Sequence, residues 1–255
     1  MKAVVHAAAP ACAVVDLTHS IQPHAVAQAS YVLDTVFDFF PAGTVFLAVV
    51  DPGVGGRRDN LLVEAGDRFV VGPDNGITTE ILARAIPRSC FVIDDHKLAP
   101  YRVAPPRGRT FLGRDVFAPA AAALAAGAPP ASLASPATVD PATLAIPPVH
   151  ISPGKITAVV RCHDDFGNLL TAITAEHLRA AFGDADPASV AATVDGTDLG
   201  TLCRYYSERP AGTMVALVNS WDRVEVSVCE GRAADRFPER PPDGLVVELR
   251  TAAGR

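Results

Sequence analysis

The sequence predicts an N-terminal α/β domain with a central, largely parallel sheet, followed by a smaller all-β, barrel-like domain. Three observations carry this expectation. The first half alternates apolar, β-branched-rich runs with segments of helical periodicity. Residues 128–154 then contain seven prolines and little periodicity, which predicts a linker. Beyond it come short strand patterns separated by polar turns, the mark of a small barrel or sandwich. The resulting division is an α/β domain at 1–130, a linker at 131–153 and a β domain at 154–255.

Each element has its own warrant. Residues 14–17 read as a short strand. Pro23 opens a helix whose Val26, Ala29, Leu33, Val36, Phe37 and Phe40 recur at three- and four-residue steps on one face, and Pro41-Ala-Gly ends it. Residues 44–50 are almost wholly apolar, as in a strand buried on both faces. Residues 61–64 and 68–71 form a hairpin around Ala65-Gly-Asp, and Gly72-Pro-Asp-Asn-Gly is a dense turn signal. A helix over 76–85 and a strand over 90–93 follow. The alanine-rich stretch 114–127 reads as a helix closed by glycine. In the second half the strands are 156–162, 190–194, 201–205, 214–218, 224–228 and 245–249, with one helix at 175–182.

Composition narrows the function. The 255 residues are 49% hydrophobic and 20% charged, with a net charge of −6 and no basic cluster interleaved with aromatics, which argues against nucleic acid. No apolar run reaches the ~18–20 residues of a membrane span. The opening MKAVVHAAAPACAVVDLTH runs without a polar break into strand-like residues, unlike a signal peptide. The five cysteines are scattered and form no CxxC pair, so the expectation is a cytoplasmic protein with reduced thiols and no metal site.

Three clusters have chemical character. In LAVVDPGVGGRRDN, Asp51 ends an apolar run, where α/β sheets place ligand sites. Gly53, Gly55 and Gly56 permit close backbone approach, and Arg58 lies seven residues on. Such an acid–base pair can hold and polarise one water; the plainer reading is a strand-ending turn with a salt bridge. Neither GxGxxG nor a P-loop is present. In TFLGRDVFAP, Gly113 and the helix start offer backbone N–H groups to a polar ligand, while Asp115 reads as a helix cap. In HDDFGN, Phe166 and Asn168 could supply a stacking surface and an amide for a purine, against the alternative of an Asx-Gly turn with Phe166 packed inward. His163 and Asp164 lack a second ligand set for a metal.

VVDLTHSIQPH, FFPAGTVFLAVVDPGVGGRR, VVGPDNGITT, TFLGRDVFAPAAAALAAG, DDFGNLLTAI and NSWDRVEV, in this order and spacing, resemble the S-adenosyl-L-methionine (SAM) hydroxide adenosyltransferases. These are adenosine-forming SAM hydrolases related to fluorinase and chlorinase. The resemblance covers nearly the whole chain. It implies an α/β domain and a β-barrel domain, a homotrimer with sites at subunit interfaces, and no cofactor or metal, SAM being the substrate. It implies attack of water or hydroxide on ribose C5′, giving adenosine and methionine. Asp51 and Arg58 match the water-holding pair, and an aspartate at 51, where the halogenases carry tyrosine, favours hydroxide over halide. Asn168 matches the adenine-reading amide, with Phe166 beside it. Asn219, Ser220, Glu225 and Val228 match the pocket around adenosine and methionine, and Gly113 belongs to the TFLGRD motif.

The chain departs from the family pattern in two places. Leu112 stands where the family has a histidine, and leucine makes no hydrogen bond. The family's opening strand, whose aspartate holds the ribose, has no match ahead of MKAVV, which points to a misassigned or truncated start. The alternative function is therefore a catalytically weak SAM- or adenosine-binding protein of the same fold, with a SAM-dependent halogenase as a distant third.

Overall fold

The computed structural model describes residues 1–84, 86–106, 108–238 and 244–252. It comprises two compact units, Met1–Leu144 and Ala145–Arg255.

In the first unit, α1 (Lys2–Ala8) sets Val5 and the following Ala9 against Ala118 and Ala122. Residues 14–17, expected as a strand, form none: Val14, Val15 and Leu17 are exposed. β-branched residues favour an extended chain, but a strand also needs a neighbour to receive its ladder bonds. Helix α2 (Val26–Val36) buries Val26, Ala29 and Leu33, and the 3₁₀ turn after it buries Phe37, the face the periodicity predicts. Phe37 stacks on Phe46 at 5.2 Å and Phe40 meets it edge-on at 5.3 Å.

The run 44–50 pairs only as β1 (Val45–Leu47), and within it only Phe46 is fully buried. Both of its faces are covered, as expected: Phe46 and Ala48 pack on the cluster that holds Leu33 and Phe37, and Val45, Leu47 and Val49 on the cluster that holds Phe117 and Leu124. What it lacks is a second hydrogen-bonding neighbour, which makes it an edge strand. The hairpin forms as expected from β2 (Asn60–Ala65) and β3 (Arg68–Pro73), with Gly66 at φ +61° in its turn. Residues 74–78 stay in the turn, so α3 (Thr79–Ala83) is shorter than the helix expected over 76–85; Ala85 lies outside the described residues. Next come β4 (Arg88–Ile93) and α4 (Asp95–Leu98), whose first N–H groups donate to the Asp94 side chain.

The alanine-rich helix departs from its expected start. Residues Gly113–Phe117 form a π turn that leads into α5 (Ala118–Ala125), closed by Gly127 at φ +91°. The Pro-rich stretch then contributes β5 (Ala134–Pro136), paired to β4, and two loop N–H groups: Ala142 N donates to Asp74 Oδ1 and Leu144 N to Thr79 Oγ1.

These strands form one mixed sheet in the order β1-β3-β2-β4-β5. Only β1 and β3 are parallel; the other three pairs are antiparallel, which corrects the expectation of a largely parallel sheet. A two-residue connection such as Gly66-Asp67 can only join antiparallel neighbours.

In the second unit the strands are β6 (His150–Ser152), β7 (Lys155–His163), β8 (Leu169–Thr174), β9 (Val190–Val194), β10 (Thr197–Thr201), β11 (Met214–Val218), β12 (Arg223–Val228) and β13 (Val246–Thr251). Helix α6 (Ala175–Phe182) starts at a capping box of Thr174 and His177. The antiparallel order is β10-β9-β13-β7-β8-β12-β11, with β6 added on β7. A bridge from Cys203 to Leu217 links the segment after β10 to β11, so the sheet is a nearly closed barrel. Its core is lined by Ile156, Leu169, Ile173, Val194, Val226 and Leu249, all wholly buried. The strand expected at 201–205 lies instead at Thr197–Thr201. The Asp195-Gly196 turn, with both residues at positive φ, folds the chain back at once and sets the earlier register. All five cysteines are free, and Cys162, Cys203 and Cys229 are buried.

Candidate functional site

The polypeptide leaves β1 and runs alongside β3, with Ala48 N donating to Val71 O at 3.0 Å. Gly72 is required here, since a Cβ would sit 2.4 Å from Ala48 O. Asn75 then clamps the end of this segment: its Nδ2 donates to Val50 O at 2.8 Å, while its Oδ1 accepts from Ile77 N at 3.2 Å. Asp51 is therefore delivered by backbone that the β3 turn holds in place.

After Asp51 the chain folds back. Gly55, at φ +78°, would place a Cβ 2.8 Å from Arg109 O, so its lack of a side chain serves contact with the protein's own backbone. The reversal brings Arg58 against Asp51. Arg58 Nε donates to Asp51 Oδ1 at 2.8 Å, and Nη2 donates to Oδ2. The side chains are 11% and 6% exposed, so this is a buried, bidentate ion pair rather than a surface bridge. Nη1 donates to Asp59 O at 2.9 Å and to Asn60 Oδ1 at 2.7 Å, and Phe117 lies under the guanidinium, 5.5 Å from ring centre to Cζ.

Phe117 connects this pair to the π turn that carries Leu112 and Gly113. Leu112 packs on the hydrophobic cluster that contains Phe117, Val116 and Leu98. A side chain on Gly113 would meet Met1 Sδ at 2.9 Å, so the glycine allows that contact. Asp115 is not a helix cap. Its buried carboxylate accepts from Arg114 Nε at 2.7 Å and Nη2 at 2.8 Å, and this bond raises the Arg114 pKa above its ordinary value.

In the second unit, Phe166 is 77% exposed, so it is not packed inward. The turn that presents it is closed by Asp164, which accepts from Asn168 N at 2.8 Å and Asn168 Nδ2 at 2.9 Å. Gly167, at φ +80°, has no room for a Cβ against Arg232. Asn168 is buried, with its amide nitrogen committed to Asp164.

A second cluster centres on Glu225, which is 3% exposed in β12. Its Oε1 accepts from Tyr206 Oη at 2.6 Å and Ser227 Oγ at 2.9 Å; its Oε2 accepts from Asn219 Nδ2 at 2.8 Å. Asn219 also organises the β11–β12 turn, its Oδ1 accepting from Trp221 N and Arg223 N. Burial, and then the bond to Glu225, push the Tyr206 phenol well above its ordinary range. Ser220 is exposed in that turn, and Val228 is buried in the barrel core.

The pairing expected from sequence therefore forms, Asp51 with Arg58, and the structure adds one between two residues expected only as pocket positions, Asn219 with Glu225. Asn60, Asn75, Phe117, Tyr206 and Ser227 were not anticipated. Asn75 sits in the Gly72-Pro-Asp-Asn-Gly turn signal, where a turn amide is legible, whereas Asn60 opens β2; Tyr206 lies 19 residues from Glu225 with no pattern joining them. Among the described residues no group of three or more His, Cys, Asp or Glu side chains is placed to hold a metal, and no helix is long and apolar enough to cross a membrane.

Comparison with known proteins places this arrangement. Residues 1–134 match the family model for the SAM hydroxide adenosyltransferase N-terminal domain, and residues 158–245 that for its C-terminal domain. The chain is 38% identical over 252 residues to the (R)-S-adenosyl-L-methionine hydrolase of Thermus thermophilus, covering 98% of this chain and 92% of that protein. It is 35% identical over 250 residues to the enzyme of the same name from Salinispora arenicola, covering 96% and 88%. The crystal structure of a conserved protein from Thermotoga maritima superposes with a TM-score of 0.86 at 27% identity, covering 98% of this chain and 93% of that one. With both domain models matched in order and full-length relatives above 30% identity, the chain belongs to the SAM hydroxide adenosyltransferase family.

Proposed function

We propose that this protein hydrolyses SAM to adenosine and L-methionine. The observation that carries the reading is the buried, bidentate Asp51–Arg58 pair beyond the end of β1, in a chain whose full-length relatives are named SAM hydrolases. In the proposed reaction a water oxygen attacks ribose C5′ in line with the C5′–S bond. That bond breaks, its electron pair stays on sulfur as methionine departs, and the water's proton passes to Asp51 and on to solvent. The sulfonium is already a good leaving group, so the enzyme needs to supply positioning and a polarised water. Arg58 donates to the water and Asp51 accepts from it.

The substrate-binding roles belong to the same proposal. Asp51 and Gly113 contribute from the first unit. Phe166 stacks on the base, Asn168 reads its edge, and Asn219, Ser220, Glu225 and Val228 complete the adenosine and methionine contacts. The protein acts as a cytoplasmic homotrimer without cofactor or metal. Incubation of the purified protein with SAM, followed by chromatography for adenosine and methionine, tests the reading. No product from wild type, or equal product from Asp51→Ala, defeats it. Sedimentation equilibrium tests the trimer.

Leu112 favours a second reading, SAM or adenosine binding with slow turnover. Its side chain packs on the hydrophobic cluster and offers the water no hydrogen bond. Calorimetric binding of SAM together with undetectable adenosine formation would establish it. A halogenase role would require a chlorinated nucleoside in chloride buffer.

A further inference from the structure

A guanidinium has five N–H donors fixed in one plane. In Arg58, Nε–H and one Nη2–H go to the two oxygens of Asp51, and the two Nη1–H groups go to Asp59 O and Asn60 Oδ1. Four donors are spent inside the protein. The fifth, the second hydrogen on Nη2, has no partner among the described residues.

What fills the Nη1 edge is built into the sheet and not into the glycine turn. Asn60 is the first residue of β2, in register with Pro73 of β3. Asp59 O also accepts from Asp74 N at 3.0 Å, so it too is tied to the end of the hairpin. Phe117, wholly buried, covers the guanidinium. The group is thus held on one edge by Asp51, on the opposite edge by the hairpin, and against a ring.

We infer that Asn60 is a positioning residue: by occupying Nη1 it fixes the plane of Arg58 and leaves a single N–H, on Nη2 beside Asp51, for the attacking water. The inference rests on the hydrolase reading. Without the Asn60 acceptor, Asp59 O would hold that edge alone. An Nη1–H would then compete for the water from the side of the guanidinium away from Asp51. Displacement of a nucleophile by a fraction of its length is enough to lower the rate strongly while leaving substrate affinity intact.

The test compares Asn60→Leu, which has similar volume and no acceptor, with Asn60→Asp, which keeps the oxygen. For Asn60→Leu we expect kcat for SAM hydrolysis to fall about tenfold or more, with KM within about twofold of wild type. Asn60→Asp should restore kcat to within about threefold. A merely structural role would lower the melting temperature of both variants and leave kcat per folded enzyme unchanged. A second measurement needs no turnover: hydrogen exchange of the Arg58 Nε–H, followed by ¹⁵N NMR, should be slow in wild type and Asn60→Asp and accelerated in Asn60→Leu. Unchanged kcat in Asn60→Leu, or equal loss in both variants, overturns the inference. Absence of adenosine from wild type overturns the hydrolase reading instead, and the exchange rate then decides the positioning role by itself: equal exchange in wild type and Asn60→Leu overturns it.

Discussion

Asp51 in the first unit and Glu225 in the second are both shielded carboxylates, and they are accommodated by opposite means. Asp51 is met by the Arg58 guanidinium on both oxygens. Glu225 is surrounded by a phenol, an amide and a hydroxyl, from Tyr206, Asn219 and Ser227, and no cation among the described residues pairs with it. The first arrangement cancels charge and fixes geometry. The second solvates the carboxylate without cancelling its charge, so a negative field remains in the second unit. The proposed substrate carries a sulfonium and an ammonium, and a charge left uncancelled can still act on a cation.

The comparison can be broken most severely at Asp51. Asp51→Ala strands a buried guanidinium, with an expected loss of about 3–5 kcal/mol in stability and of adenosine formation altogether. Urea unfolding checks the first and chromatography the second; a loss below about 1 kcal/mol would place the pair at a solvated surface. Glu225→Gln should cost less, about 1–3 kcal/mol, because the amide must turn a donor toward groups that already donate. If the charge acts on the ligand, this variant weakens SAM more than adenosine in calorimetry.

Leu112→His probes the first unit without disturbing the ion pair. We expect kcat to rise about tenfold, as a positioned imidazole adds a hydrogen-bonding partner for the water. Stability should drop by about 1–2 kcal/mol from polar burial on the cluster.

The smallest effect concerns Tyr206. Its pKa is raised in the folded state, so above pH 10 the unfolded chain holds fewer protons than the native one and stability falls as pH rises. This contribution is fully present below pH 10 and is lost through the raised folded value. Tyr206→Phe should remove that alkaline decline, read as thermal midpoint against pH.

Much of this was legible beforehand. The DPGVGGRR spacing anticipated the Asp51–Arg58 contact, since a glycine turn allows a seven-residue return. The Val26, Ala29, Leu33 and Phe37 face was periodic enough to name. In the second unit β7, β9, β11, β12 and β13 lie where the sequence places strands, whereas β8 is hidden because LLTAIT joins a turn motif directly to α6, β6 lies in the Pro-rich stretch, and β10 precedes its expected position. By contrast, residues 14–17 form no strand, and 44–50, though covered on both faces, pair only over Val45–Leu47, because apolar, β-branched residues report an extended chain but not the presence of a neighbour on each edge.

The sequence by itself determined which segments extend, which coil, where the acid and base stand, and the family to which they belong. These are local matters, settled by periodicity, turn residues and motif spacing. Only the tertiary structure decided that the first sheet is mixed, that β1 is an edge strand, that Asn60 takes the far side of Arg58, and that Tyr206 reaches Glu225. Those outcomes depend on which distant strands share hydrogen bonds, and backbone donors and acceptors are the same whatever the residue that carries them.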